Sequence, residues 1–156
     1  MKKSNTKKAV LIYIGLTYLI CFCVSIAQMF ISGLSKEMIF LFVFCLISLI
    51  PVYLIFEDKY VKQSFLFLSF VNLVQSISFM FLGLTFKFIV GPDLSFYLIN
   101  ANDNLIQFSA KPFNIFTDVF YDKSNAISAI AINFGHLFCS LFCYRQLKKV
   151  QVKSLI

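Results

Sequence analysis

The sequence predicts an all-α membrane protein: a four-transmembrane-helix bundle with a structured extracytoplasmic loop between helices three and four. Three observations lead there. The 156 residues are 60% hydrophobic and 13% charged, where a soluble domain carries about 25% charged residues. Mean hydropathy is +0.85, and the apolar residues gather in runs near the ~20 residues a helix needs to cross a hydrocarbon core. The basic residues flank those runs rather than interrupt them. A chain of this length is read as one membrane domain, 1–156.

The first run follows "MKKSNTKK" and covers about residues 9–33. Its lysine-rich start also fits a signal peptide, with Ser25 and Ala27 spaced for cleavage. The run continues through "MFISGL", however, and is long enough to span, so it is read as a retained helix. A lipoprotein signal would want a small residue before Cys21, where Ile20 stands. The second run covers about 38–56 and carries Pro51, which should kink its last turn by removing a backbone donor. The third covers about 63–84 and the fourth about 125–144, with the outer loop at about 85–124. "LSKE" and "EDKYVKQ" are short connections, so the first three helices are expected to be antiparallel neighbours.

The net charge is +7. In a soluble protein this would suggest nucleic acid, but no basic stripe with interleaved aromatics lies outside the spans, so none is expected as a partner. The lysines choose an orientation instead. With both termini cytoplasmic, Lys2, Lys3, Lys7, Lys8, Lys59, Lys62, Arg145, Lys148, Lys149 and Lys153 lie inside. Only Lys36, Lys87, Lys111 and Lys123 lie outside, which obeys the positive-inside rule. The expected location is the cell membrane, multi-pass, with the bilayer as the first partner. The tail Arg145, Lys148, Lys149, Lys153 should attract anionic lipid.

Cys21, Cys23, Cys45, Cys139 and Cys143 all fall inside apolar runs. They read as small buried side chains rather than a disulfide framework or metal site. No Asp, Glu, Lys or Arg stands at mid-span, and every acidic residue is assigned to a loop or a helix end. That argues against a proton-coupled carrier and a carboxylate-based enzyme. The expected interhelical cluster is neutral: Asn72 and Gln75 on helix three, Asn133 and His136 on helix four, beside the small-residue ridge Ala131, Gly135, Cys139 and Cys143. A lone histidine lacks the ligand set of a metal site and the partners of an acid–base catalyst, so no catalytic residue, cofactor or metal is expected.

The outer segment is rich in aromatics, and "GPD" is a turn signal. "SFYLI" and "LIQFS" around "NANDN" suggest a hairpin. Phe113, Phe116 and Phe120 recur at i, i+3 and i+7, which fits a short interfacial helix. A recognition surface is expected here, built from Phe96, Tyr97, Asp103, Phe113, Phe116, Asp118 and Phe120, for a membrane protein or an extracytoplasmic peptide. Asp93, Asp103, Asp118 and Asp122 would favour a cationic partner.

The stretch "LIPVYLIFEDKYVKQSFLFLSFVN" resembles the junction between the second and third spans of the Msa-type membrane proteins of Gram-positive cocci, and "CYRQLKKVQVK" resembles their C-terminal end. The resemblance implies an accessory membrane protein that influences regulation or signalling, with no catalytic residues to carry over. Together these observations point to a non-enzymatic protein acting through protein–protein contacts. The alternatives are an immunity protein against a membrane-active bacteriocin or toxin, and a small-solute carrier or membrane enzyme using His136.

Overall fold

The computed structural model describes residues 2–82, 84–100, 105–121 and 128–153. In chain order the elements are α1 (Lys2–Ser32), α2 (Lys36–Phe56), α3 (Val61–Gln75), β1 (Ile77–Phe81), β2 (Leu84–Asn100), β3 (Leu105–Tyr121), β4 (Ser128–Asn133) and α4 (Phe134–Lys153). The expected all-α four-span bundle is not the fold. Among the described residues two helices, α1 and α2, are long and apolar enough to cross a membrane, and four strands form an antiparallel sheet. The chain divides into two compact units: Met1–Ser69 with Phe142–Ile156, and Phe70–Leu141.

In the first unit, α1 buries Leu11, Ile14, Tyr18, Cys21 and Ser25, while α2 buries Leu41, Cys45, Ser48, Val52 and Ile55. Both sets step by alternating threes and fours, the spacing of a seam between antiparallel helices. The buried Ser25 hydroxyl is satisfied by donating to the Cys21 carbonyl at 2.8 Å. Tyr18 meets Phe44 edge to face at 5.9 Å, and Phe22 stacks on Phe42 at 4.8 Å. Gly15 lies close against α2: a Cβ there would stand 3.2 Å from Val52 Cγ1. Gly33, at φ +81°, ends α1, and Ser35 opens α2 by accepting the Met38 N–H at 3.2 Å. Helix α2 runs through the buried Pro51 to Phe56. All five cysteines are free thiols, and four of them are buried.

In the second unit, the third expected span breaks at Gln75. The 15 residues of α3, at about 1.5 Å each, cannot cover a ~30 Å core. From Ile77 the chain alternates instead of repeating every three or four residues: Ser78 is buried while Ile77, Phe79 and Phe81 are exposed. That is the period of a strand. The fourth expected span divides at Asn133, with β4 before it and α4 after it. Arg145, Lys148 and Lys149 then leave α4 too short an apolar stretch to span.

The expected outer loop is a long β-ribbon. β2 and β3 pair from Leu84↔Tyr121 to Ile99↔Leu105, so the interfacial helix expected over Phe113, Phe116 and Phe120 is strand instead. The register shifts between Gly91 and Asp93, where Pro92 faces the two residues Pro112 and Phe113. Gly91 adopts φ +120° at this bulge, a conformation that glycine alone takes readily. β1 pairs with the start of β2 (Phe79↔Phe86) and with β4 (Phe79↔Ile130), and β4 pairs with the end of β2 (Leu98↔Ile130). Strands β1, β4 and β2 therefore form a closed circuit, and β3 is an edge strand.

Residues paired across an antiparallel ladder share a face. One face carries Ser78, Thr85, Lys87, Asp93, Ser95 and Tyr97, all buried or half-buried. The other carries Ile77, Phe79, Leu98, Ile106, Ile130 and Ile132, exposed at 36–65%. This reverses the polarity of a sheet in a water-soluble protein, which turns its apolar face inward.

Substituting Gly15 by Leu should push α1 off Val52 and cost about 1–3 kcal/mol. The check is a lowered Tm in thermal unfolding of the detergent-solubilised chain.

Candidate functional site

The polar residues of the second unit gather where α3 gives way to β1 and where β4 gives way to α4. Gln75 closes α3 fully buried, and its Oε1 accepts the Val90 N–H of β2 at 2.8 Å. A buried backbone donor needs such a partner, because water cannot reach it. One residue on, the Ser76 carbonyl accepts the Asn133 N–H at 2.8 Å. The Asn133 side chain works in both directions. Its Nδ2 donates to the Pro92 carbonyl at 2.9 Å, and its Oδ1 accepts from the N–H groups of Gly135 at 3.0 Å and His136 at 3.3 Å. Asn133 thus caps α4 and anchors the bend in β2.

His136 is buried and its Nδ1 lies 3.0 Å from Asn72 Oδ1. With a carbonyl oxygen as acceptor, the imidazole proton sits on Nδ1, and Nε2 is buried without a hydrogen-bond partner among the described residues. Burial pushes the His136 pKa down to about 4, and the charge on Asp93 offsets part of that shift. The ring is therefore neutral near pH 7. The structure brings Asn72 to His136, whereas Gln75 and Asn133 each serve the backbone of β2, at Val90 and Pro92.

Asp93 is the charged residue that the sequence reading misplaced, having assigned every acidic side chain to a loop or helix end. It is a strand residue and fully buried. The Ser95 hydroxyl donates to its Oδ1, and Asn114 Nδ2 donates to its Oδ2 at 2.7 Å. Lys87 Nζ stands 4.0 Å from the same Oδ2 and donates to the Tyr97 hydroxyl at 2.8 Å. A buried carboxylate is tolerable when neutral donors and a cation surround it, as they do here. The signal for this cluster was polar residues at every second position, Thr85 and Lys87 before the bulge, then Asp93, Ser95 and Tyr97 after it.

The expected recognition surface is dispersed. Phe96 lies on the apolar face, Tyr97 on the polar face beside Lys87, and Phe113 at the bulge. Phe116, Asp118 and Phe120 occupy β3 opposite Ile89, Lys87 and Thr85. Asp103 and Asp122 lie outside the described residues. In the basic tail, Arg145, Lys148 and Lys149 are exposed on α4, and Lys148 Nζ sits 5.0 Å from the Tyr144 ring centre. With Lys153 they stand toward the C-terminal end of α4, where cations complement the helix dipole. Among the described residues no group of three or more His, Cys, Asp or Glu is placed to hold a metal ion.

No protein-family model matches this chain, and no curated protein or solved structure matches it either. None of these comparisons identifies an Msa-type family.

Two measurements follow from this geometry. Since the His136 pKa in the fold is about 4 against about 6.5 unfolded, protons favour the unfolded chain between those values. Stability should be complete above about pH 6.5 and should decline on acidification, by about 2 kcal/mol at pH 5. Thermal unfolding from pH 7 to 5 reads this as a falling Tm, and His136→Gln should flatten the profile. Asn133→Ala removes a helix cap and strands the part-buried Pro92 carbonyl, at a cost of about 1–3 kcal/mol; denaturant unfolding in mild detergent measures it.

Proposed function

We propose that this is a non-enzymatic membrane accessory protein that acts by accepting a strand of a partner protein along β3. The observation that carries this reading is the open edge of β3, which among the described residues pairs only with β2. Within it, Leu105, Ile106 and Phe108 are 50–65% exposed. No charge interrupts the edge until Lys111, where the bulge and Pro112 end the smooth stretch. An exposed apolar edge is a template for strand addition in water. In hydrocarbon its unpaired N–H and C=O groups would be costlier still.

The membrane part of the proposal rests on α1 and α2, whose hydropathies are 2.4 and 2.9. They cross as a hairpin with both termini cytoplasmic. Lys2, Lys3, Lys7 and Lys8 precede the apolar part of α1, Lys59 and Lys62 follow α2, and Lys36 alone of the lysines stands between them. The basic end of α4 then faces the anionic inner leaflet. A role in regulation or signalling is what the likeness to Msa-type proteins implies for such an accessory factor.

Affinity purification of the full chain from mild detergent should recover one membrane partner in fixed ratio, with cross-links from a photoreactive residue at position 108. Phe108→Lys should abolish that recovery while leaving the chain folded. Purification of the chain alone from its native membrane, with no cross-link at the edge, would falsify the reading.

A further inference from the structure

We infer that the second unit binds an uncharged carbonyl compound with an alkyl tail, in a cavity of about 360 Å³ on the polar face of the sheet. That volume lies in the range of small-molecule sites, which combine mostly apolar walls with a few polar groups. The strand register shows which side chains face it. Met80 pairs with Thr85 and with Ala129, and Ala129 pairs with Ile99, so these four share one row. Ala131 pairs with Ser78 and Tyr97 in the next row, and Lys87 lies two residues from Thr85 on the same face. Phe79, Phe86 and Ile130 also border the cavity, but their side chains belong to the opposite face and take no part in the site.

The polar groups on this face set the ligand's head. The Thr85 hydroxyl is buried, with the residue 6% exposed, and it has no hydrogen-bond partner among the described residues. A buried hydroxyl in that condition costs free energy until something in the cavity bonds to it. The phenol oxygen of Tyr97 accepts from Lys87 at 2.8 Å, which leaves the phenol's own hydrogen to donate. Lys87 itself is already matched. Besides Tyr97 it has the Asp93 carboxylate at 4.0 Å, and Asp93 in turn receives hydrogen bonds from Ser95 and Asn114. An anionic ligand would enter beside a carboxylate whose cation is engaged, and a cationic one would meet Lys87, so the head is uncharged. Two hydroxyl donors on one cavity call for an acceptor oxygen. A carbonyl offers two lone pairs and no hydrogen of its own.

The rest of the same face sets the tail. Met80 and Ile99 flank the cavity, and β4 offers it only the methyl groups of Ala129 and Ala131, which leaves the space open. A larger cavity of about 610 Å³ shares Met80, Ile99 and Ala129 with it, and its lining is apolar but for Asn100 and Ser128. This second cavity lies where the ladders end, at Phe81↔Leu84, Ile99↔Leu105 and Asn100↔Ser128, so side chains of both faces reach it. A tail leaving the first cavity passes into the second without meeting a charge. A bare alkane would fill this path and leave Thr85 unpaired, while acetone would pair Thr85 and leave the path empty. The site does not use the β3 edge, so it stands or falls apart from the accessory role.

The experiment uses the full chain in lipid nanodiscs and methyl octyl ketone, isotope-labelled at its carbonyl, with empty nanodiscs as the reference for partition into lipid. Binding should be saturable above that reference, and the labelled carbonyl stretch should move to lower frequency in the infrared as it accepts hydrogen bonds. Decane and decanoate should each compete at least about tenfold more weakly. Thr85→Val keeps the side chain's shape and removes the unpaired hydroxyl. It should leave the Tm of the empty protein unchanged or raised, yet weaken the ketone by about tenfold and reduce the carbonyl shift. Tyr97→Phe should weaken it similarly. Ala129→Leu fills the space and should abolish saturable binding, and an unchanged infrared amide signature of strand would show that the sheet persists in all three variants. Binding no greater than in empty nanodiscs, equal competition by decane or decanoate, or full affinity in Thr85→Val would each overturn the proposal.

Discussion

The carbonyl of Pro92 sits at the bend of β2, and the structure of the second unit turns on how it is satisfied. Asn133 reaches it from β4, at 2.9 Å, and with its other amide atom starts α4. One side chain therefore fixes two things at once: which strand lies beside the bent end of β2, and the direction in which the chain leaves the sheet. Gly135 keeps this corner tight, because a Cβ would come 3.3 Å from Asn133 Oδ1 and 3.4 Å from Pro92 Cγ, and a neighbour would have to give by a few tenths of an ångström. Gln75 makes the corresponding contact from α3, through the N–H of Val90. Both amides complete a backbone ladder at points where no strand is present to do so.

That economy follows from the composition. A chain with so few charged residues exposes apolar surface wherever it folds, and its polar groups are then sequestered on one face. Once sequestered they must satisfy each other. Asp93 is held by Ser95, Asn114 and Lys87, and His136 by Asn72. Such a network gives a unique arrangement because each member left unpaired in a low-dielectric interior costs free energy. The exceptions are therefore informative: the hydroxyl of Thr85 and the Nε2 of His136 are the places where the network is left incomplete in the second unit among its described residues.

The helical seam of the first unit works by a different principle. Its buried positions are mostly aliphatic, aromatic or cysteine, and small polar ones such as Ser25 bond back to their own helix. The buried hydroxyl of Ser48 is the exception, with no hydrogen-bond partner among the described residues. The pattern was accordingly readable along the chain, since a seam of threes and fours is local. The sheet's pattern was also present, in "SISFMF" and "SAIAIN", but the surrounding hydrophobicity masked it. Apolar runs alone do not separate a helix from a buried strand, and period two is short enough to be missed between genuine helices.

The sequence by itself determined the two helices long and apolar enough to cross a membrane and the position of the basic residues at their ends, while Cys23, read as buried with the other four cysteines, is exposed. Hydrocarbon thickness and charge placement act on contiguous residues, and a linear reading captures them. Tertiary structure decided the rest. It turned the second half of the third expected span into β1, joined Lys87 to Asp93 across a bulge, and made Asn133 a cap and an anchor rather than a mid-helix polar residue. The strand β1 and the double role of Asn133 depend on hydrogen bonds between residues far apart in the chain, as with Ser78 and Ala131 in the ladder or Asn133 and Pro92. Separations of that kind leave no period in the sequence, because the partner of each polar group is chosen by the ladder that forms and not by its neighbours.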